Sequence, residues 1–410
     1  DKHGIADPLE QIDFAGAFLR KTEHRDTALS PAPLSDEQQR HAAGAPLAPP
    51  APRNKVSLSV IVVFHNMRRE AERTLYSLTR AYQQGIDDLD YEVIAIDNGS
   101  APGQKLDKKR VRSFGPEFRY IDMGDMGEEV SASPVPALNL GIAKSRGENI
   151  ALMIDGAHVL TPGVLRYGML GLRSYEPAIV ATQQWYVGPG QQGEAMTSGY
   201  DQAFEDNLFD AIEWPSDGYQ LFNIGHFIGD RDWLDGLWES NCLFAPRALL
   251  EQVGGFDERF SMPGGGFANL ELYERLGASP DTTFVTMLGE GSFHQVHGGT
   301  TTNVASVDER HRRLADYVQH YGDLRGRGYR GHGKRIHYVG TMHADAARTR
   351  ARRLTAPNFF KRGATEGADG VPTTPVPVPQ ELTTEFIDAF WRSLRWREAT
   401  WLGRKVQKTP

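Results

Sequence analysis

The sequence predicts an α/β fold built on a mostly parallel central sheet. Three observations carry that expectation. LSVIVVF (58–64), YEVIAID (91–97) and NIALMI (149–154) are short apolar runs, the pattern of strands buried on both faces. Helical spacing separates them, as in REAERTLYSLTRAYQ (69–83), where Leu75, Leu78 and Tyr82 share a face. Each run also ends in polar residues: His65 and Asn66, Asp97 and Asn98, Asp155 and His158. Strand, helix, strand in this order implies right-handed parallel crossovers. Ligands of such sheets bind beyond the carboxyl ends of the strands.

The elements follow in order. Residues 1–54 open on an amphipathic stretch, PLEQIDFAGAFLRK, and pass into a Pro/Ala-rich segment that reads as an extended linker. Core patterning starts at Leu58, and the first two strands follow with their helix. ALNLGIAKSR then reads as a helix stopped by Gly147 ahead of the third strand. Residues 183–240 are rich in Gly, Trp, Tyr and Gln with little periodicity, and they predict long functional loops. Residues 301–355 read as a helical C-terminal part of the core. Residues 356–410 form a second Pro-rich linker and an amphipathic helix with Phe386, Phe390, Leu394 and Trp401 on one stripe.

Composition narrows the function. A chain of 410 residues, 40% hydrophobic, is long enough for one large core with appendages. A net charge of -8 gives no global basic field and argues against nucleic acid as a partner. One cysteine, Cys242, excludes an intrachain disulfide framework and a multi-cysteine zinc site, and a reducing, cytoplasmic setting is expected. The start, DKHGIADPLE, lacks the order of a secretory signal, and no apolar run approaches the roughly 20 residues of a spanning helix. The basic, Trp-bearing end of the chain leaves two uses open for the C-terminal helix: docking on the core or on a second copy as a homodimer, and peripheral contact with a membrane.

In this order LSVIVVFHN, VIAIDNGS, LNLGIAKSRGENIALMIDGAH, GGFDERF and GGGFANLELYERL resemble a GT-A (nucleotide-diphospho-sugar transferase) glycosyltransferase of the family 2 type over residues 55–300. The resemblance implies transfer of a sugar from a nucleoside-diphosphate sugar, a UDP-sugar above all, to an acceptor, with Mn²⁺ or Mg²⁺ as cofactor. It places Phe64, His65, Asn66 and Asp97 at the nucleotide. For Asp97 alone, Asp-Asn-Gly-Ser is also good turn chemistry.

The family's metal motif, Asp-x-Asp, here reads Asp155, Gly156, Ala157, so the second carboxylate is missing. Imidazoles are at hand in His158, His294 and His297, and they suit Mn²⁺ better than Mg²⁺. The related polypeptide N-acetylgalactosaminyltransferases use Asp-x-His with a distant histidine, and His297, before a Gly-Gly turn, is the better match. The family's general base aligns with Ala268 and Asn269, and neither takes a proton. Glu271 matches an acid of the related branch and also sits four residues before Arg275, where an ion pair forms as readily. Glu239 is the second choice of base. Because both motifs depart from pattern, a GT-A domain that binds without catalysing transfer is the rival reading, and a nucleotidyltransferase the third.

Overall fold

The computed structural model describes residues 56–343 except 126–129, 189, 191, 198, 228–236, 238, 239, 300–303 and 305. The N-terminal helix and linker, the C-terminal linker and the amphipathic helix expected over 380–410 all lie outside the described residues.

Ten strands form one mixed sheet: β1 (Val56–Phe64), β2 (Tyr91–Asp97), β3 (Phe118–Asp122), β4 (Gly147–Met153), β5 (His158–Leu160), β6 (Ala178–Val187), β7 (Gly225–Phe227), β8 (Cys242–Pro246), β9 (Thr283–His294) and β10 (Ile336–Gly340). The main path runs β10-β9-β6-β8-β4-β1-β2-β3, with β5 paired to β9 and β7 to β6. Neighbours on the main path are parallel except at β8, which is antiparallel to both β4 and β6. The helices used below are α1 (Arg68–Tyr76), α2 (Val135–Lys144), α3 (Val164–Ser174), α4 (Gln202–Ala211), α5 (Ala268–Ala278) and α6 (Val307–Arg325).

Side chains of a strand alternate between faces, so a strand apolar throughout must be covered twice. β1 shows this directly. Ile61 and Val63 enter a core shared with Leu138 and Ile142 of α2, Leu270 and Tyr273 of α5, and Tyr317 and Tyr321 of α6. Val60, Val62 and Phe64 enter the opposite core with Leu75 of α1 and Leu165 and Met169 of α3. Each fully buried Val or Phe contributes about 1.5–3 kcal/mol. Helices thus cover both faces of the sheet, as the apolar runs require.

Two expectations are corrected. The described residues of 183–240 carry more regular structure than their composition suggests. β6, α4, β7 and short helices at Gln192–Thr197 and Leu221–Ile224 pack around a third core of Trp185, Phe222, Phe227 and Phe293. Aromatic packing between short elements leaves no helical or strand period to read. The segment 301–355 is not only helical, because β10 follows α6 and pairs with β9.

Register places the functional edge. Phe64 pairs with Asp97, and Val62 with Met153, so β1, β2 and β4 end level. The reversal of β8 brings the residue before it, Asn241, to that same edge, because Cys242 pairs with Met153. Among the described residues no helix is long and apolar enough to cross a membrane.

Gly147 does not stop α2, which ends at Lys144 with Ser145 as its extended C-cap. The glycine is the first residue of β4, and a Cβ there would stand 2.4 Å from Ser59 N and 2.4 Å from Asn149 O. Backbone atoms in a sheet cannot give way as a side chain does. Gly147→Ala is therefore expected to destabilise the protein by about 2 kcal/mol or more. Urea unfolding measures it, and a loss within ±0.5 kcal/mol contradicts the packing.

A candidate cation site at the carboxyl edge of the sheet

Asp155 follows β4 and is held by its backbone. Its N–H donates to Asn241 Oδ1 (2.9 Å), and Asn241 Nδ2 donates back to its carbonyl (3.1 Å). Ala157 N–H donates to Asp155 Oδ1 (2.8 Å), which leaves Oδ2 to face the histidines. The two following positions have no room for another acid. A Cβ on Gly156 would stand 2.3 Å from the Phe64 ring and 2.6 Å from Val63 O, and Ala157 is fully buried. The missing second carboxylate has a packing cause.

His294 ends β9 and His297 follows it by three residues. His294 Nε2 and His297 Nε2 each lie 3.2 Å from Asp155 Oδ2, and 3.1 Å from one another. Gln192 sets the tautomer of His294. Its Nε2 donates to His294 O (2.7 Å) and Val187 O (3.2 Å), so its Oε1 accepts from His294 Nδ1 (2.6 Å). The Nε2 lone pair then points at Asp155. His297 is steadied through Val296, whose N–H donates to Glu205 Oε2 (2.8 Å) and whose carbonyl accepts from Gln202 Nε2 (3.2 Å). Arg69 joins Glu205 and Asp206 of α4 to α1 behind this turn.

The charges suit a cation. Burial opposes ionisation of Asp155, but His297 and His294 outweigh it and hold the carboxyl well below its usual range. Burial lowers the pKa of His294, which keeps it a neutral donor. Burial also works against charge on His297, yet the Asp155 carboxylate prevails and the pKa is raised. Asp155, His294 and His297 are the group of described residues able to share a metal ion. Donors 3.1–3.2 Å apart fit adjacent ligands of a small divalent cation, since bonds of about 2.1 Å at right angles set neighbouring donors about 3.0 Å apart. One carboxylate with two imidazoles favours Mn²⁺ over Mg²⁺.

The other expected residues divide. His158 is not in the triad: paired with His294 across β5 and β9, it packs edge-on behind that ring at 4.9 Å, and burial, with His294, pushes its pKa down to about 3. Its place is a wall of the site. Asp97 is buried with both oxygens taken by its own loop, Oδ1 by Ser100 N–H (2.8 Å) and Oδ2 by Leu106 N–H (3.0 Å). The turn chemistry accounts for its carboxylate, and its neighbour Asn98 is the residue that reaches the cleft. His65 and Asn66 line the cleft, whereas Phe64 is a core residue beneath Gly156.

Glu271 is corrected as a catalytic acid. Its carboxylate is buried between Arg275 and Arg325, so α5 uses it in an ion-pair cluster inside the fold. Asn269, two residues earlier in the same helix, lines the cleft and donates to Ser240 O (3.0 Å). Glu239 lies outside the described residues. Sequence reasoning missed Asn241 and Gln192, which position the triad. The only signal for Asn241 was a polar pair, Ser240-Asn241, directly before an apolar run. Gln192 lies in a Gly/Gln-rich stretch that carries no signal.

The cleft in front of the triad has a volume of about 730 Å³ and runs from His65 and Asn98 past Asp155 to Tyr186, Asn269 and Tyr317. Residues 59–235, which hold β1, β2, β4 and Asp155, match the model of the family described as Glycosyl transferase family 2. The chain carries a glycosyl transferase family 2 domain. The protein is an enzyme of the glycosyltransferase class on an α/β GT-A fold.

No curated protein matches this glycosyltransferase. Among solved structures it is similar to the mannosyltransferase PcManGT from Pyrobaculum calidifontis, solved with GDP-Man and Mn²⁺, at 16% identity over 71% of this chain and 70% of that one, with a TM-score of 0.39. It is similar to glucosyl-3-phosphoglycerate synthase from Mycobacterium tuberculosis, solved with Mn²⁺, UDP and glucosyl-3-phosphoglycerate, at 16% identity over 73% and 87%, with a TM-score of 0.35. It is also similar to GalNAc-T7, solved with UDP, GalNAc and Mn²⁺, at 12% identity over 65% and 48%, with a TM-score of 0.37. Likenesses at this level assign no donor, ion or acceptor to the glycosyltransferase.

The Gln192 contact yields a test. Gln192→Leu keeps the volume and removes the acceptor that fixes the His294 tautomer. Mn²⁺ affinity should fall by the 10- to 100-fold typical of residues that orient metal ligands. Calorimetric titration checks this, and an unchanged affinity removes Gln192 from the site.

Proposed function

We propose that this glycosyltransferase moves a sugar from a nucleoside-diphosphate sugar to an acceptor hydroxyl, and that Asp155, His294 and His297 hold the divalent cation the reaction uses. One observation carries the reading: a carboxylate and two imidazoles, all within 4.8 Å of one another, at the carboxyl edge of an α/β sheet and beside its cleft. A bound Mn²⁺ or Mg²⁺ supplies positive charge that stabilises the diphosphate as it departs. The family resemblance favours a UDP-sugar.

The protein's own residues bind and orient. Asn98 Nδ2 donates to Ser131 O (3.0 Å) and Ser133 O (3.4 Å), which fixes the amide so that Oδ1 is an acceptor, and that buried oxygen has no partner. It suits a base N–H or a ribose hydroxyl at the β1 and β2 end of the cleft. Among the described residues lining the cleft, Asp155 is the one carboxylate, and its ionised form belongs to the histidines. A general base is therefore not supplied by those residues. In this reading the acceptor proton passes to a diphosphate oxygen as the C1–diphosphate bond breaks and the C1–acceptor bond forms on the same face. The anomeric configuration is then retained.

Two outcomes test the proposal. Asp155→Asn and His297→Ala should each lower Mn²⁺-dependent hydrolysis of the donor by about 100-fold or more, while the melting temperature changes little because both sit at strand ends. Activity within a few-fold of wild type removes the triad from the reaction. The anomeric proton coupling of the product, read by NMR after a donor screen, should match that of the donor. An inverted product requires a base from outside those lining residues.

A further inference from the structure

Among the described residues, the buried acids are held by ion pairs or by hydrogen bonds. Glu92 meets Arg119 and Arg146, Glu205 meets Arg69, Asp257 meets Arg259 and Arg325, and Glu271 meets Arg275 and Arg325. Arg310, in the first turn of α6, is 2% exposed, and none of its three guanidinium nitrogens has a hydrogen-bond partner. An uncompensated guanidinium out of water is strongly unfavourable and is retained where an anion completes it. The surroundings are built around it. A Cβ on Gly193 would stand 2.1 Å from Arg310 Nη1, so the guanidinium lies directly against the Gly193 backbone.

Its position relative to the triad defines which anion. Gly193 follows Gln192, the residue that holds His294. Two turns along the same face of α6, Tyr317 lines the cleft and donates to Pro263 O (2.5 Å). Gln192 reaches the ends of β6 and β9 through Val187 O and His294 O. The nucleoside end of the cleft lies at β1 and β2, and the sheet order β6-β8-β4-β1-β2 separates β6 from β2 by four strand spacings, about 19 Å at roughly 4.8 Å each. Asp155, after β4, stands between the two ends. Arg310, beside Gly193, is on the far flank from the nucleoside.

We propose that Arg310 is an anion seat for the acceptor, so that the sugar is transferred to a molecule carrying a carboxylate or phosphate group. This rests on the glycosyl-transfer reading above and names its acceptor class. The guanidinium offers five donors in a planar fork that matches either group bidentately.

The test uses the full chain with saturating Mn²⁺ and UDP, and inorganic phosphate as the probe. Without phosphate, Arg310→Met should melt at or above the wild-type temperature, because an apolar side chain of similar length replaces an unpaired charge. Phosphate should raise the wild-type midpoint by several degrees in a concentration-dependent way, Arg310→Lys less, and Arg310→Met by no more than about 1 °C. UDP affinity should stay within twofold in all three proteins. Equal phosphate responses, or a destabilised Arg310→Met with no phosphate response in wild type, overturn the seat. A tenfold loss of UDP affinity in Arg310→Met overturns its assignment to the acceptor and gives the guanidinium to the donor diphosphate. Failure of the glycosyl-transfer reading shows separately, as no binding or hydrolysis of any nucleoside-diphosphate sugar, since the phosphate response needs no turnover.

Discussion

The interaction on which the site depends is that of one partly buried carboxylate with two imidazoles. Asp155 is ionised in a place that burial alone would make it avoid, and it is so because His294 and His297 stand 3.2 Å from the same oxygen. Two imidazole nitrogens 3.1 Å apart need something positive between them and the carboxylate. A proton on His297 fills that need in the cation-free protein, in keeping with its raised pKa, and a divalent cation fills it better. The rest of the fold can be read as what brings these three side chains together and keeps water from loosening them.

Sheet geometry does most of this. Asp155 and His294 are 139 residues apart in sequence, on β4 and β9, which are not neighbours in the sheet. They meet because β5 folds back from Asp155 to pair with β9, setting His158 opposite His294, and because antiparallel β8 delivers Asn241 to the Asp155 backbone. Behind them, Gln192 fixes one imidazole and the Glu205, Gln202 and Arg69 cluster fixes the turn that carries the other. The groups that hold the triad are thus matched donor to acceptor, which preorganises it.

Much of this was legible in the sequence, for physical reasons that also explain the rest. Apolar runs such as LSVIVVF announce strands covered on two faces, so the parallel β1, β2 and β4 could be read directly. Asp155, His294 and His297 were legible because a missing carboxylate leaves a ligand to be found, and imidazoles are few. The antiparallel reversal at β8 was not, since pairing direction leaves no mark on a five-residue apolar strand. Local chemistry misled at Asp97 and Glu271. An acid near a strand end or helix start serves a ligand, a turn or an ion pair equally well, and the choice depends on Leu106 N–H and Arg325, which arrive from elsewhere in the chain.

The central claim, that Asp155, His294 and His297 together hold a divalent cation at the donor site, is tested most directly by seeing the ion. Crystals grown with Mn²⁺ and UDP, with data collected at the manganese absorption edge, locate it by anomalous scattering. The account predicts one strong peak within bonding distance of Asp155 Oδ2, His294 Nε2 and His297 Nε2, with the diphosphate on its open side. A peak at other acids, or UDP bound with no ion at the triad, would contradict it.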